Sequence, residues 1–137
     1  MTATITTTTW NEQVLRDLLV TAFEGGINYW ARLLRYQYPQ GRTAADYRVT
    51  DQTDTSHPEW WPSYARVPLE GGAIVLVDAE TGEEFPQPLD RAAVERGLNL
   101  LADQHPHRWA DIRAGLYDVE DADAVVQLAL FGELVFG

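Results

Sequence analysis

Three groups of residues carry the side-chain types from which a site can be built. The first is Asp118-Val119-Glu120-Asp121-Ala122-Asp123, with four carboxylates in six residues. Acids before a helix complement its macrodipole and cap its free amides. They also form an acidic patch suited to a basic partner, so Asp118, Glu120, Asp121 and Asp123 are the candidate partner-binding residues. The second group is aromatic. Eight of the 15 aromatic residues lie between Tyr29 and Tyr64, interleaved with Arg32, Arg35, Arg42 and Arg48. Tyr, Trp and Arg are enriched at binding hot spots, although several of these rings are also expected to fill a small core. A pocket between the Gly25-Gly26 step and residues 47–64 would be lined by Glu24, Asn28, Arg32, Tyr47, His57, Trp60 and Trp61. The third group is His105-Pro106-His107, with Asp103 and Asp111 nearby. Zinc needs three or four converging ligands. The proline opens a helix and turns the rings apart, so neither a metal nor another cofactor is expected.

Material for nucleophilic catalysis is scarce. The serines are Ser56 and Ser63, neither in a nucleophile elbow, and there is no cysteine. Gly71-Gly72 precedes a strand rather than a helix, so it does not read as a phosphate cradle. No catalytic residue is assigned, and the pattern favours a protein that acts by binding.

The charge narrows the class of partner. The chain of 137 residues carries 21 acids against 10 bases, a net charge of −11. Residues 1–69 hold 7 acids and 6 arginines, a net of −1; residues 70–137 hold 14 acids and 4 arginines, a net of −10. A one-sided excess suggests an acidic face, which repels phosphates and attracts basic protein surfaces. Direct nucleic-acid binding is therefore not expected. All ten bases are arginine. Arginine suits bidentate pairing, but the absence of lysine fits a GC-rich genome better, which points to a high-GC bacterium or its phage. The absence of cysteine excludes disulfides, iron–sulfur clusters and thiolate zinc. No leader or membrane-length apolar run is visible, so a cytoplasmic protein is expected.

These groups must be positioned by a single α+β domain over residues 10–137, behind a flexible polar tail at 1–9. Thr9-Trp10-Asn11-Glu12 reads as a capping box. Leu15, Leu19, Phe23, Ile27, Trp30 and Leu34 then form a helical stripe that keeps phase across Gly25-Gly26. One long helix over about 10–36 is expected, with an end at Glu24 as the alternative. Each interior glycine costs roughly 1 kcal/mol against alanine, so the pair needs a reason, such as a close backbone approach. A small antiparallel sheet follows. Short strands are expected at 46–50 and 65–68, and a hairpin at 73–86 with a central apolar strand, Ala73–Val77. Three helices close the chain: about 91–104 capped by Asp90, 106–114 opened by Pro106, and an all-round apolar one capped by Asp121 or Asp123.

Glu24–Ala31, the Leu76–Glu83 hairpin and the closing Ala129–Gly137 resemble small proteins of actinobacterial phages and their hosts, for which no activity is assigned. The resemblance spans most of the chain and implies a phage or mobile-element setting, without catalytic residues. In size and helix–sheet–helix order the chain is also similar to small antirestriction proteins of plasmids, but no motif carries residues over. The expectation is a non-enzymatic acidic accessory protein that binds and occludes a basic host protein, such as a nucleic-acid-handling or defence target (anti-restriction or anti-CRISPR-like). The alternatives are a small-molecule binder or enzyme using the aromatic pocket, and a homo-oligomeric component, such as a homodimer, joined through its last helix.

Overall fold

A computed structural model describes residues 10–51, 61–116 and 118–137. The first helix, α1 (Glu12–Thr21), starts at Asn11, whose side-chain oxygen accepts the Gln13 amide at 2.7 Å. Asn11 thus takes the capping role expected of Thr9, which lies outside the described residues. The helix widens into a π turn over Ala22–Gly26, where the Ile27 amide donates to the Ala22 carbonyl at 3.0 Å. Gly26 explains part of the glycine pair. A Cβ there would sit 2.9 Å from the Val119 carbonyl, so another backbone does approach closely.

The expected helix over 10–36 therefore stops early. Residues Ala31–Gln37 form strand β1, antiparallel to β2 (Ala73–Asp78), with Ala31 opposite Asp78 and Gln37 opposite Ala73. A bulge between Leu33 and Arg35 leaves Leu34 exposed. The more buried side chains Ala31, Leu33 and Tyr36 are consequently spaced by two and then three, which imitates a helical interval. β2 is buried over its first five residues, and its second edge takes single bridges, Ile74 to Leu89 and Val77 to Glu84. It is central, as its apolar composition requires. The hairpin return forms through the Asp78 amide to the Glu83 carbonyl (2.9 Å) and the Phe85 amide to the Leu76 carbonyl (3.0 Å). Gly82 supplies the positive φ of 75° in the turn. Arg35 on β1 pairs with Glu84 on the return at 2.8 Å, and this hydrogen bond holds the Glu84 carboxyl below its usual range.

Two further expected strands are short helices. Residues 46–50 fall inside a 3-10 helix, Ala44–Asp51, which Asp46 nucleates by accepting the Thr43 amide at 2.7 Å. Residues 65–68 belong to α2 (Ser63–Arg66) and a 3-10 turn at Pro68–Glu70, each opened by a proline.

The three closing helices form as expected: α3 (Arg91–Gln104), α4 (Pro106–Arg113) and α5 (Val119–Phe131). Asp90 caps α3 by accepting the Ala93 amide at 2.8 Å. The cap of α5 is Asp118, rather than Asp121 or Asp123. Asp118 accepts the amides of Glu120 and Asp121 at 3.0 Å, and the Asp121 side chain returns to the Asp118 amide. Leu98 and Leu101 of α3, Ala124, Val125 and Leu128 of α5, and Ile74 and Leu76 of β2 share one core with Leu15 and Leu19 of α1. Among the described residues no helix is long and apolar enough to cross a membrane.

Helices α3 and α5 touch at Gly97, where a Cβ would lie 2.4 Å from the Val125 carbonyl and 3.0 Å from the Ala129 amide nitrogen. Both contacts are backbone and cannot yield cheaply. Gly97→Ala is expected to destabilise the fold by about 1–3 kcal/mol as overpacking, read as a lower urea midpoint at unchanged slope.

Candidate functional site

A polar arrangement that joins three parts of the chain surrounds Asp123, one turn into α5. The stop of α1 brings a turn at residues 27–30 against it. Its carboxylate accepts three hydrogen bonds: the Tyr29 hydroxyl at 2.6 Å, the Trp30 indole N–H at 2.7 Å and the Gln127 amide at 3.0 Å. Bonds to a charged acceptor are the stronger kind. Burial, followed by the hydrogen bond and charge of Asp123, pushes the Tyr29 phenol up to about 12. The phenol therefore stays protonated and acts as a donor. It is not prepared as a nucleophile or base.

Gln127 extends the arrangement to the chain's last residues. Its side-chain oxygen accepts the amides of Val135 and Phe136 at 2.7 and 2.8 Å, while its nitrogen donates to the Phe136 carbonyl at 3.2 Å. This returns the tail across α5 and stacks Phe136 on Trp30, with centroids 4.9 Å apart and planes 9° apart. Phe85 and Phe131 meet Trp30 edge-on or tilted, completing an aromatic cluster.

Between the glycine step, α5 and the tail lies an open cleft of about 510 Å³. Asp123 and Gln127 line it with Glu120 and Arg108, while Tyr29, Val119 and Leu134 supply apolar surface. Those three are among the exposed large hydrophobic residues of the molecule. Arg108 is engaged with the buried Asp121 at 2.8 Å.

The four acids expected to face a partner thus divide. Glu120 is exposed and lines the cleft, and Asp118 is exposed but serves as the helix cap. Asp121 is buried on Arg108, and Asp123 holds Tyr29, Trp30 and Gln127. Asp121 and Asp123 therefore do not present unpartnered carboxylates, because both are needed to satisfy internal donors. The run is a folding device and a cleft wall together.

Among the described residues, those of the expected aromatic pocket are not all brought to one cleft. Asn28 and Arg32 line a second cleft of about 410 Å³ with Phe23, Leu33 and Tyr64. Glu24 accepts the Tyr64 hydroxyl at 2.8 Å beside it, and Arg32 also donates to the Ala79 carbonyl. Tyr47 is elsewhere and fully buried, its hydroxyl near Arg42 and Glu70 and its ring under Arg66. Burial, its largest cause, raises the Tyr47 phenol above its usual range. Trp61 packs on the core beneath the Arg16 guanidinium. His57 and Trp60 lie outside the described residues. His105 sits at the N-terminal boundary of α4 without a side-chain capping bond, and His107 is exposed.

Tyr29, Gln127 and Leu134 fall outside the site residues expected from the sequence. A signal for one was present: Gln127 is the only polar side chain between Ala124 and Phe131. A buried amide on an apolar helix demands partners.

Two outcomes test this arrangement. In Asp123→Asn, the Tyr29 midpoint should fall from about 12, because the charge of its acceptor is gone. Tyrosinate difference absorbance against Tyr29→Phe reads this. The raised phenol contributes stability that is complete below the unfolded value of about 10 and is lost as pH rises towards 12. Gln127→Ala should destabilise the protein by about 1–3 kcal/mol, because it empties a buried site and removes hydrogen bonds to Asp123 and to the part-buried tail backbone. It should also speed hydrogen exchange at the Val135 and Phe136 amides.

No family model matches the chain, and neither does any curated protein or solved structure. What the site does has to follow from its own chemistry.

Proposed function

We propose that this chain is a non-enzymatic binding protein that docks on and occludes a basic surface of another protein. One observation carries the reading: the cations are engaged internally while many anions are not. Arg35, Arg42, Arg66, Arg91 and Arg108 are ion-paired with Glu84, Glu70, Glu70, Glu12 and Asp121. Arg32 and Arg96 donate to carbonyls, and Arg16 and Arg113 lie over Trp61 and Trp109. These nine arginine side chains are thus committed. By contrast Glu80, Glu83, Asp103, Asp111, Glu120 and Glu133 are exposed and make no ion pair among the described residues. All six belong to the acidic second half. A surface of this kind attracts a basic partner, speeds encounter and repels phosphates.

The expected partner is a host protein that handles nucleic acid, since such proteins display basic surfaces, and the expected setting is a phage or mobile element. The composition and the resemblance to actinobacterial phage proteins support that setting. Occlusion would be steric and electrostatic.

Charge reversal at exposed positions tests the reading without touching Asp121 or Asp123. The variant combines Glu80→Lys, Glu83→Lys, Asp111→Lys and Glu120→Lys. Wild type and variant are compared by affinity capture from a high-GC actinobacterial lysate, with quantitative mass spectrometry. Capture of basic proteins should fall at least about tenfold in the variant, and a comparable loss should follow for wild type between 50 and 300 mM salt, roughly as screening predicts. Capture that is indifferent to both changes overturns the reading.

A further inference from the structure

The cleft beside Tyr29 has a composition that selects among cations. Resting on the acidic-surface reading above, we propose that it is an anchor pocket for one arginine side chain from a basic partner segment. Its charge is unambiguous. Glu120 and Asp123 line it, while the charge of Arg108 is matched by Asp121 and only the partial positive charge of the α5 N-terminus opposes them. An anion is excluded as occupant because the amides of Glu120 and Asp121 are already taken by the Asp118 carboxylate.

The acceptors fit a guanidinium. Glu120 has no described ion-pair or side-chain acceptor role and lines the cleft. Of the Asp123 oxygens, Oδ1 accepts from both Trp30 and Gln127, while Oδ2 accepts from Tyr29 alone and retains capacity. The Gln127 oxygen is filled by two tail amides, so it does not compete. The Tyr29 ring, 56% exposed, lies at the same cleft. A planar guanidinium stacks on an aromatic face while donating in its own plane to carboxylates; an ammonium does only one of these well. Val119 and Leu134, 51% and 41% exposed, offer apolar cover for the arginine methylenes. The molecule contains its own precedent: Arg108, at the same cleft, is fastened to Asp121 at 2.8 Å.

The test uses NMR titration of the full chain with three capped nonapeptides, identical except for a central arginine, lysine or citrulline between leucines. The arginine peptide should shift the Tyr29, Glu120 and Asp123 amides. It should bind about five- to tenfold more tightly than the lysine peptide, and the neutral citrulline peptide should not bind, in line with stacked, charge-assisted recognition. Glu120→Gln and Tyr29→Leu should each weaken the arginine peptide about three- to tenfold, whereas Tyr29→Phe, which keeps the ring, should stay within about twofold. Retained dispersion of the amide NMR spectrum shows that each variant folds, since the Tyr29 variants also remove a donor from Asp123. Equal binding of the arginine and lysine peptides, insensitive to Glu120→Gln, overturns the pocket but leaves the acidic-surface reading standing. The pocket is equally overturned if none of the peptides binds while basic proteins are still captured in a charge-dependent way. Absence of both peptide binding and charge-dependent capture overturns both.

Discussion

A carboxylate placed against a protein interior is tolerated only if its lone pairs find donors. Asp123 meets that demand with one phenol, one indole N–H and one amide, drawn from the turn after α1 and from α5 itself. The first quarter of the chain is thereby fastened to the last helix. Trp30 is held with its ring under Phe136, and Phe136 is held by Gln127, which lies one turn after Asp123. Gly26 completes the junction, because any side chain there would collide with the Val119 carbonyl. Removing one of these groups leaves another buried polar atom unsatisfied, so the node behaves as a unit.

The same requirement sorts the charges of the other described residues. Internal acceptors and aromatic faces engage the arginines, and ion pairs take the acids that lie near them. Among the described residues, the unmatched remainder left on the surface is anionic. Net charge states only that an excess exists. The surface pattern depends on which charges have been matched, and that sets how the molecule meets a partner.

The second half of the fold was legible because its signals are local. Asp90, Pro106 and Gly82 each act within a few residues, so α3, α4 and the hairpin turn could be read from them directly. The first half misled where distant contacts rule. The stripe from Leu15 to Leu34 satisfies a helical period, yet its last members sit in a turn and at a strand bulge. Apolar spacing cannot separate a bulged strand from a helix when the bulge turns a step of two into a step of three. Tyr47 and Val49 alternate as in a strand, but an aspartate turn at Thr43–Asp46 diverted them into a 3-10 helix. At the site, the acidic run was visible, whereas Tyr29 and Gln127 gained importance only from partners more than 90 residues away or across the returning tail.

Taken alone, the sequence determined the α+β class, the one-sided charge, the closing helices and the acidic run, since composition, caps and short periodicities do not need a partner in space. Only the tertiary structure decided where the first helix stops, which carboxylates are consumed and which face the solvent. Those outcomes turn on desolvation and on pairing between residues far apart in the chain. A carboxylate carries the same residue name whether it is buried on Trp30 or open to an incoming cation, and only its neighbours distinguish the two.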